Sequence, residues 1–287
     1  MQKIGYIGLG IMGKPMALNL LRAGYPVSIY ARRPEIIETL TKAGATPYSS
    51  PKELAPEVDI IITNVPATAD VEDVLIGKNG IIHTAKPGTI VIDMSTISAS
   101  ATSRIARTLE QKQIDMLDAP VSGGEQGAIK GTLSIMVGGK AAVLKKVRAI
   151  LDVLGENIIH IGDHGAGQIA KSCNQIIIAE TVIAVSEALH LAKASGVDPA
   201  KVRDALLGGF ANSKVLEIHG KRMLEQDYKP GFKASLHRKD MHLALDQAHQ
   251  AHIKLPAAAH ATLCLDRLVM KGHPELDSSA LHLLLED

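Results

Sequence analysis

The chain of 287 residues is 46% hydrophobic and 21% charged, a composition that supports a sizeable core and excludes general disorder. Its 31 basic and 30 acidic residues leave a net charge of +1, which gives no electrostatic reason to expect nucleic acid or an anionic membrane as the main partner. At roughly 150 residues per domain, the length predicts about two domains.

No targeting or membrane-spanning segment is expected. The run Ile4–Met12 resembles a short signal peptide, but its glycines weaken a helix, and Lys14-Pro15 follows where small residues should allow cleavage. The most apolar run, Ile176–Ala192, is broken by two glutamates and a histidine, so it lacks the ~18 uninterrupted apolar residues of a membrane span. The two cysteines are far apart and indicate neither a zinc cluster nor a disulfide framework. We expect a cytoplasmic protein.

Short apolar runs alternate with helical patterns over the first half of the chain. The predicted strands are Lys3–Gly8, Val27–Tyr30, Asp59–Thr63, Thr89–Asp93, Ile114–Leu117, Leu133–Val137 and Ile158–Ile161. The predicted helices are Gly13–Ala23, Pro34–Ala43, Ser98–Gln111 and Lys140–Leu154. Continuous Val/Ile runs separated by helices indicate a parallel sheet covered on both faces. Gly24 and Gly44 lie where helix C-terminal caps belong.

Strand patterns stop after Asp163. Gly165–Ala194 reads as one long helix that is apolar nearly all round from Ile176, which predicts burial between domains or subunits. The rest is a series of helical patterns broken at glycines and prolines. The sequence therefore predicts an α/β fold with a dinucleotide-binding domain at 1–163 and an all-helical substrate and oligomerisation domain at 164–287. The apolar surface of the long helix predicts a homodimer or homotetramer.

A glycine-rich motif follows the first predicted strand and opens the first predicted helix. Its residues are Gly8, Leu9, Gly10, Ile11, Met12 and Gly13. This is the context of a dinucleotide-binding fingerprint, in which Gly8 allows a tight turn, Gly10 lets the backbone approach a pyrophosphate and Gly13 lets the helix pack closely. The pyrophosphate is expected at the helix N-terminus.

The end of the second predicted strand bears on the choice of cofactor. An NAD-specific site has an acidic residue there for the ribose hydroxyls, whereas this chain has Ala31, Arg32 and Arg33. Two arginines suit the 2′-phosphate of NADP, although a solvated arginine pair on a loop has the same appearance. NADP is therefore favoured, and NAD stays open.

Two further motifs complete the pattern. Asp118–Gly124 follows a predicted strand, and the N–H groups and hydroxyl of its Ser122-Gly123-Gly124 segment can form an anion-binding concavity, although the same residues also suit a plain turn. Lys171, Asn174 and Gln175 have the spacing of one helix face at the start of the long helix. A helical lysine is usually solvated, but this one precedes an apolar stretch, so we expect it to line a cleft and donate a proton to a carbonyl oxygen.

These four motifs, in this order and spacing, resemble the β-hydroxyacid dehydrogenase family, which includes 3-hydroxyisobutyrate dehydrogenases and tartronate semialdehyde reductases. The resemblance covers essentially the whole chain and extends to Val65-Pro66, Ser95-Thr96 and Lys239-Asp240. The stretches that look most like the tartronate semialdehyde reductases are Gly123-Gly124-Glu125, Gly208-Gly209-Phe210-Ala211 and His219-Gly220.

The resemblance implies a role for each matching position. Lys171 would be the catalytic acid, Asn174 would orient the substrate, and Ser122, Gly123 and Gly124 would hold its carboxylate. The remaining cofactor contacts would come from Val65, Pro66, Thr96 and Lys239. The chain departs from the family at Ala31, which replaces a polar residue, and at Met241, which replaces a leucine at similar volume.

The expected activity is the reversible NAD(P)H-dependent reduction of tartronate semialdehyde to glycerate. The alternatives are 3-hydroxyisobutyrate dehydrogenase, a succinic semialdehyde or glyoxylate reductase, and a non-catalytic NADP-binding module, although retention of Lys171 argues against a pure binder. A 6-phosphogluconate dehydrogenase needs a larger helical domain. No metal site is expected from the histidines at 237, 242, 249 and 252, and Cys173 is read as a core residue.

Overall fold

The computed structural model of the chain describes residues 1–285. It divides into two compact units, the first comprising residues 1–171 and the second beginning at Ser172. The predicted domain boundary at 163–164 lies just before the long helix, whereas the division between the units falls inside that helix.

The first unit contains a mixed sheet. Its strands in the described part of the chain are β1 Ile4–Ile7, β2 Val27–Tyr30, β3 Thr46–Pro47, β4 Ile60–Thr63, β5 Ile90–Asp93, β6 Asp115–Asp118, β7 Val121–Ser122, β8 Leu133–Gly139 and β9 Gly155–Gly162. The spatial order is β3-β2-β1-β4-β5-β6-β8-β7, with β9 paired to β8. The chain order reverses at β1, and in such sheets ligands bind at the carboxyl ends of the strands beside the reversal.

The helices of the first unit cover both faces of this sheet. They are α1 Gly13–Arg22, α2 Pro34–Lys42, α3 Pro51–Leu54, α4 Thr68–Ile76, α5 Ala99–Glu110, α6 Gly124–Lys130 and α7 Ala141–Leu154. One apolar cluster contains Ile4 and Tyr6 of β1, and a second contains Ile7, as expected when alternate side chains of a strand point to opposite faces. The Rossmann-type doubly wound arrangement predicted from the sequence is confirmed.

The predicted parallel sheet is observed from β3 to β6, but antiparallel pairs follow beyond β6. Strand β8 is antiparallel to both β6 and β7, and only β9 is again parallel to its neighbour. The seven residues of α6 rise roughly 10 Å, whereas β8 is about 23 Å long, so α6 cannot return the chain for a parallel crossover. The chain therefore reverses, and β8 runs back beside β6.

The second unit is helical over the described residues. The long helix α8 spans Ala166–Ala194, and α9 Pro199–Leu207, α10 Lys214–Glu225, α11 Ala234–Gln250, α12 Pro256–Met270 and a 3₁₀ segment, Ser278–Leu285, follow. Serine or aspartate caps begin two of these helices, at Asp198 and Ser213, each accepting a backbone hydrogen bond. The prediction of an all-helical C-terminal domain is confirmed.

Helix α8 is less buried than its sequence predicts. Ala179, Val182 and Leu189 pack into the apolar cluster of the second unit, but Ile177 and Leu191 are 66% and 67% exposed. One side of the helix meets the core and the other faces outward in this single chain. Among residues 1–285, α8 is the helix whose length and composition would suffice to cross a membrane, a criterion that core helices also meet.

Candidate functional site

The glycine motif forms a tight turn between β1 and α1. Gly8 has φ +95°, and a Cβ there would lie 2.1 Å from the Asn64 carbonyl oxygen. A Cβ on Gly13 would lie 2.0 Å from the carbonyl oxygen of Gly8, so the helix starts in direct contact with the turn. At Gly10, by contrast, a Cβ would meet nothing within 4 Å, which leaves the backbone open to a ligand. These contacts fit the pyrophosphate of a dinucleotide at the N-terminus of α1.

A cavity of about 100 Å³ lies next to this turn. Its lining includes residues that the sequence assigns to cofactor binding, namely Gly8, Ala31, Arg32, Val65 and Pro66. Asp70 and Asp73 of α4 also line it, and sequence reasoning missed them because α4 was not predicted. Asp70 caps its own helix, accepting a hydrogen bond from the Ala67 N–H at 3.1 Å.

The two arginines after β2 differ in position. Arg32 lines the cavity, whereas Arg33 donates from Nη2 to the Leu9 carbonyl oxygen at 3.3 Å and lies 3.8 Å from Glu35. Arg33 therefore braces the glycine turn, and Arg32 supplies the positive charge at the cavity wall.

Buried polar groups connect the ends of β4 and β5. The Asp93 Oδ1 accepts from the Thr63 hydroxyl at 2.8 Å and from the Ser95 N–H at 3.1 Å. The Ser95 hydroxyl in turn accepts from the Val65 N–H at 2.9 Å. Burial raises the pKa of Asp93 to about 6 against these hydrogen bonds, with Asp118 adding repulsion. Among the described residues, the Asp93 Oδ2 has no hydrogen-bond partner.

The anion-binding segment predicted at Ser122–Gly124 runs from the last residue of β7 to the first residue of α6. Gly123 and Gly124 have φ +137° and +61°, and Ser122 pairs across the sheet with Ser134 of β8. Positive φ values at two successive positions are readily adopted only by glycine, so the turn requires both residues. The predicted anion-binding role of this segment stays a prediction.

The carboxylate of Asp118 holds the first turn of α8. It accepts from the N–H groups of Gly165 and Gln168 at 2.9 and 3.2 Å, and burial raises its pKa. A Cβ on Gly138 would lie 2.6 Å from both carboxylate oxygens, and one on Gly167 would lie 2.8 Å from Oδ2. Glycines are therefore required on two sides of this carboxylate.

Lys171 follows one turn later and is only 7% exposed. The usual interpretation of a helical lysine, a solvated surface residue, is therefore wrong for this position. Cys173 is exposed rather than a core residue, since it points roughly 200° around the helix from Lys171.

Asn174 and Lys239, both in the second unit, are connected through two buried residues. The Asn174 amide donates to the Gln175 Oε1 at 2.8 Å, and the Gln175 Nε2 donates to the Asp240 Oδ2 at 2.7 Å. Lys239 Nζ lies 3.0 Å from Asp240 Oδ1. Sequence reasoning noted Gln175 and the Lys-Asp pair but assigned neither Gln175 nor Asp240 a task.

The described residues contain no group of three or more His, Cys, Asp or Glu side chains arranged to hold a metal ion. His237 is fully buried, with its Nε2 3.4 Å from the Gln175 carbonyl oxygen, and His242 Nε2 lies 3.1 Å from an Asp266 carboxylate oxygen. Each of these histidines thus has a separate local partner.

Comparisons with known proteins show the family of this chain. A model of the NAD-binding domain of 6-phosphogluconate dehydrogenase matches residues 3–162, and a model of the NAD-binding domain of NADP-dependent 3-hydroxyisobutyrate dehydrogenase matches residues 165–285. The 2-hydroxy-3-oxopropionate reductase of Escherichia coli is 46% identical over 284 residues, 99% of this chain and 97% of that protein.

The names of two further relatives refer to other substrates. The NAD-dependent L-serine dehydrogenase of Pseudomonas aeruginosa is 35% identical over 100% of this chain and 98% of its own length. The structure of Mycobacterium tuberculosis 3-hydroxyisobutyrate dehydrogenase with L-serine superimposes with a TM-score of 0.92 and 33% identity, covering 100% of both chains.

Proposed function

We propose, from the premise that this chain belongs to the β-hydroxyacid dehydrogenase family, that it reduces tartronate semialdehyde (2-hydroxy-3-oxopropanoate) to glycerate. Membership makes it an NAD(P)-dependent oxidoreductase that acts on a CH–OH group. The observation that carries the proposal is the burial of Lys171 at the start of α8, which supplies a shielded proton donor in the unit that contains the glycine turn.

The bound cofactor would supply a hydride to the aldehyde carbon. Lys171 would donate a proton from Nζ to the aldehyde oxygen, so the negative charge developing there is neutralised as it forms. The Ser122 hydroxyl and the N–H groups of Gly123 and Gly124 would bind the carboxylate and hold the aldehyde in one orientation. The family resemblance assigns Asn174 the orientation of the substrate. In the reverse direction Lys171 would accept the proton from a 3-hydroxy acid.

The cofactor would be held by the glycine turn, by Val65-Pro66 and Thr96, and by Lys239. We propose NADP as the preferred form, because Arg32 provides a cation at the wall of the cavity beside Ala31. The carboxylates of Asp70 and Asp73 on the same cavity oppose that preference, so NAD would also be accepted.

We also propose a cytoplasmic homo-oligomer. Ile169, Ile177 and Leu191 of α8 are 44%, 66% and 67% exposed, and burying them between subunits would remove apolar surface from water. Light scattering is expected to give a dimer or tetramer mass, and a mass near the 30.4 kDa of one chain would contradict this part of the proposal.

The test of the activity is the loss of reduced-nicotinamide absorbance at roughly 340 nm with a panel of substrates, using NADPH and NADH separately. We expect the highest kcat/KM for tartronate semialdehyde, ahead of methylmalonate semialdehyde, succinic semialdehyde and glyoxylate. 3-Hydroxyisobutyrate dehydrogenase is the second candidate, since that family model matches residues 165–285. Preference for methylmalonate semialdehyde would support it, and no turnover with any substrate would favour a non-catalytic cofactor-binding protein.

A further inference from the structure

The side-chain amide of Gln168 forms hydrogen bonds to the backbone on both sides of Thr96. Gln168 is 1% exposed, its Nε2 donates to the Ser95 carbonyl oxygen at 2.9 Å, and its Oε1 accepts from the Ile97 N–H at 3.1 Å. Both groups of the amide are therefore used on the two residues that flank Thr96. A buried amide with this pairing fixes the distance between α8 and the loop after β5.

The backbone of the same residue is attached to a different strand. The Gln168 N–H donates to the Asp118 Oδ2 at 3.2 Å, and the Gly165 N–H donates to the Oδ1 at 2.9 Å. These are N–H groups of the kind left without intrahelical partners at a helix start. One turn of α8 is thus bound to the ends of both β5 and β6.

The hydrogen bonds continue toward the cavity. Ser95, whose carbonyl oxygen binds Gln168, also accepts the Val65 N–H on its hydroxyl at 2.9 Å. Gln168 is therefore two hydrogen-bonded steps from the Val65-Pro66 loop. Lys171 lies three residues beyond Gln168, on the neighbouring turn of the same helix side.

We propose that Gln168 is a positioning residue that sets the place of the Lys171 Nζ relative to the cofactor loops at Thr96 and Val65-Pro66. The inference rests on the proposed role of Lys171 as proton donor. A displacement of about 1 Å between reacting groups can lower a rate about 100-fold, so a clamp between donor and cofactor loops acts on kcat rather than on binding.

Gln168→Met tests the clamp, because methionine is similar in size but cannot replace either hydrogen bond. We expect kcat for semialdehyde reduction to fall about 10- to 100-fold, with the Kd of NADPH, measured by its fluorescence, changed less than about threefold. The deuterium isotope effect on hydride transfer is expected to rise, because chemistry becomes fully rate-limiting.

A matched control exists in the same unit. The Asn19 amide donates to the Ala128 and Ile129 carbonyl oxygens at 2.9 and 3.3 Å and joins α1 to α6. Asn19→Leu is expected to lower Tm as Gln168→Met does and to leave kcat and the isotope effect unchanged. An equal loss of kcat in both variants would overturn the positioning role and indicate general loosening of the unit.

Gln168→Glu provides a second, pH-dependent test. A protonated glutamic acid can donate to the Ser95 carbonyl oxygen and accept from the Ile97 N–H, whereas the ionised form repels that carbonyl oxygen and lies near Asp118. The kcat ratio of Gln168→Glu to wild type is therefore expected to rise as the pH falls toward about 5, while that of Gln168→Met stays flat. A pH-independent ratio for the glutamate variant would overturn the proposal.

Lys171→Met separates this inference from the proposed function. If Lys171→Met keeps full turnover, the proton-donor mechanism fails whatever the Gln168 variants do. If Lys171→Met is inactive while Gln168→Met has the wild-type kcat and isotope effect, only the positioning role is overturned.

Discussion

Each of the two units buries an aspartate that gathers backbone N–H groups, but the two carboxyl groups differ in their pKa. In the N-terminal unit, Asp118 accepts from Gly165 and Gln168, and burial raises its pKa despite these bonds. In the helical unit, burial alone would raise the pKa of Asp277, but its partners together hold that pKa well below the ordinary range.

The difference lies in the charge of the partners. Asp277 accepts from the N–H groups of Gly231 and Phe232, as Asp118 does from its own donors, but it also lies 2.9 Å from the Arg222 guanidinium and 3.2 Å from His219. Neutral N–H donors lower the pKa of a buried carboxyl group only in part. At Asp277 the hydrogen bond and charge of His219 act together with the N–H groups of Phe232 and Ser279, and they hold the pKa below its ordinary range. The helical unit thus uses a buried charge for stability, whereas in the N-terminal unit burial raises the pKa of both Asp93 and Asp118.

The largest effect should follow from removing the buried ammonium group of the N-terminal unit. Lys171→Met is expected to lower kcat about 100- to 10,000-fold, because a general acid is lost, while the variant remains folded. Steady-state kinetics and calorimetry check this. Lys145→Met, an exposed lysine of α7, is the control and should keep wild-type turnover.

The helical unit should respond in the opposite way. Asp277→Asn is expected to lower the free energy of unfolding by about 3–5 kcal/mol, because Arg222 is left without its buried counter-charge, while kcat of the folded protein is retained. Denaturant unfolding measures the loss, and Glu217→Gln, which removes an exposed partner of Lys214, should change it little. A small loss for Asp277→Asn would contradict the assigned role of this charge.

Low pH should lower the stability of the helical unit more than that of the N-terminal unit. The pKa of Asp277 is lowered by folding, so its contribution to stability is present above pH ~4 and is lost as the pH falls below that value. The pKa of Asp93 is raised to about 6, so its destabilising effect is relieved as the pH falls through 6. Hydrogen exchange, corrected for its intrinsic pH dependence, should show protection falling first in the helical unit below pH ~4, and Asp277→Asn should remove that asymmetry.

The arginine pair should give an intermediate effect confined to the cofactor. Arg32→Ala is expected to raise the Kd of NADPH about ten- to hundredfold and that of NADH much less, as expected for the loss of a phosphate contact. Arg33→Ala should weaken both cofactors by a similar factor, because Arg33 braces the glycine turn through the Leu9 carbonyl oxygen. Equal effects of Arg32→Ala on the two cofactors would refute the phosphate assignment.

The smallest change is expected at the carboxylate-binding loop. Ser122→Ala should raise KM for tartronate semialdehyde about two- to tenfold, the effect of one hydrogen bond, with cofactor binding unaltered. Ser134→Ala removes the serine opposite Ser122 on β8 and is the control, for which KM should stay the same. An unchanged KM in Ser122→Ala would make this loop a purely structural turn.

The sequence predicts most of the parallel part of the fold because the hydrophobic period and the glycines act locally. Helix α5, for example, is predicted from the apolar spacing after Ser98, whose side chain caps it by accepting from the Ala101 N–H. The reversal at β8 was not predictable in this way, since it depends on how far α6 can reach, and not on the apolar pattern of β8 itself.

The site residues with a local motif could be named from the sequence, but the bonds between them could not. The Gly8–Gly13 turn has its own signature, whereas the Gln168 amide meets Ile97 across 71 positions of the chain. Likewise, the different contacts of Arg32 and Arg33 depend on where the Leu9 carbonyl oxygen lies in space. Long-range hydrogen bonds have no periodicity in the sequence, so only the structure reveals them.

The enclosure of Asp118 by Gly138 and Gly167 has a consequence for protein engineering. The three positions are distant along the chain but can only be exchanged together, because a side chain at either glycine would occupy the volume of the carboxylate. A chimera that takes β8 from one parent and the start of α8 from another must therefore inherit both glycines along with the aspartate. Combinatorial libraries that aim at new substrates should keep these three codons fixed and diversify the Ser122 loop instead.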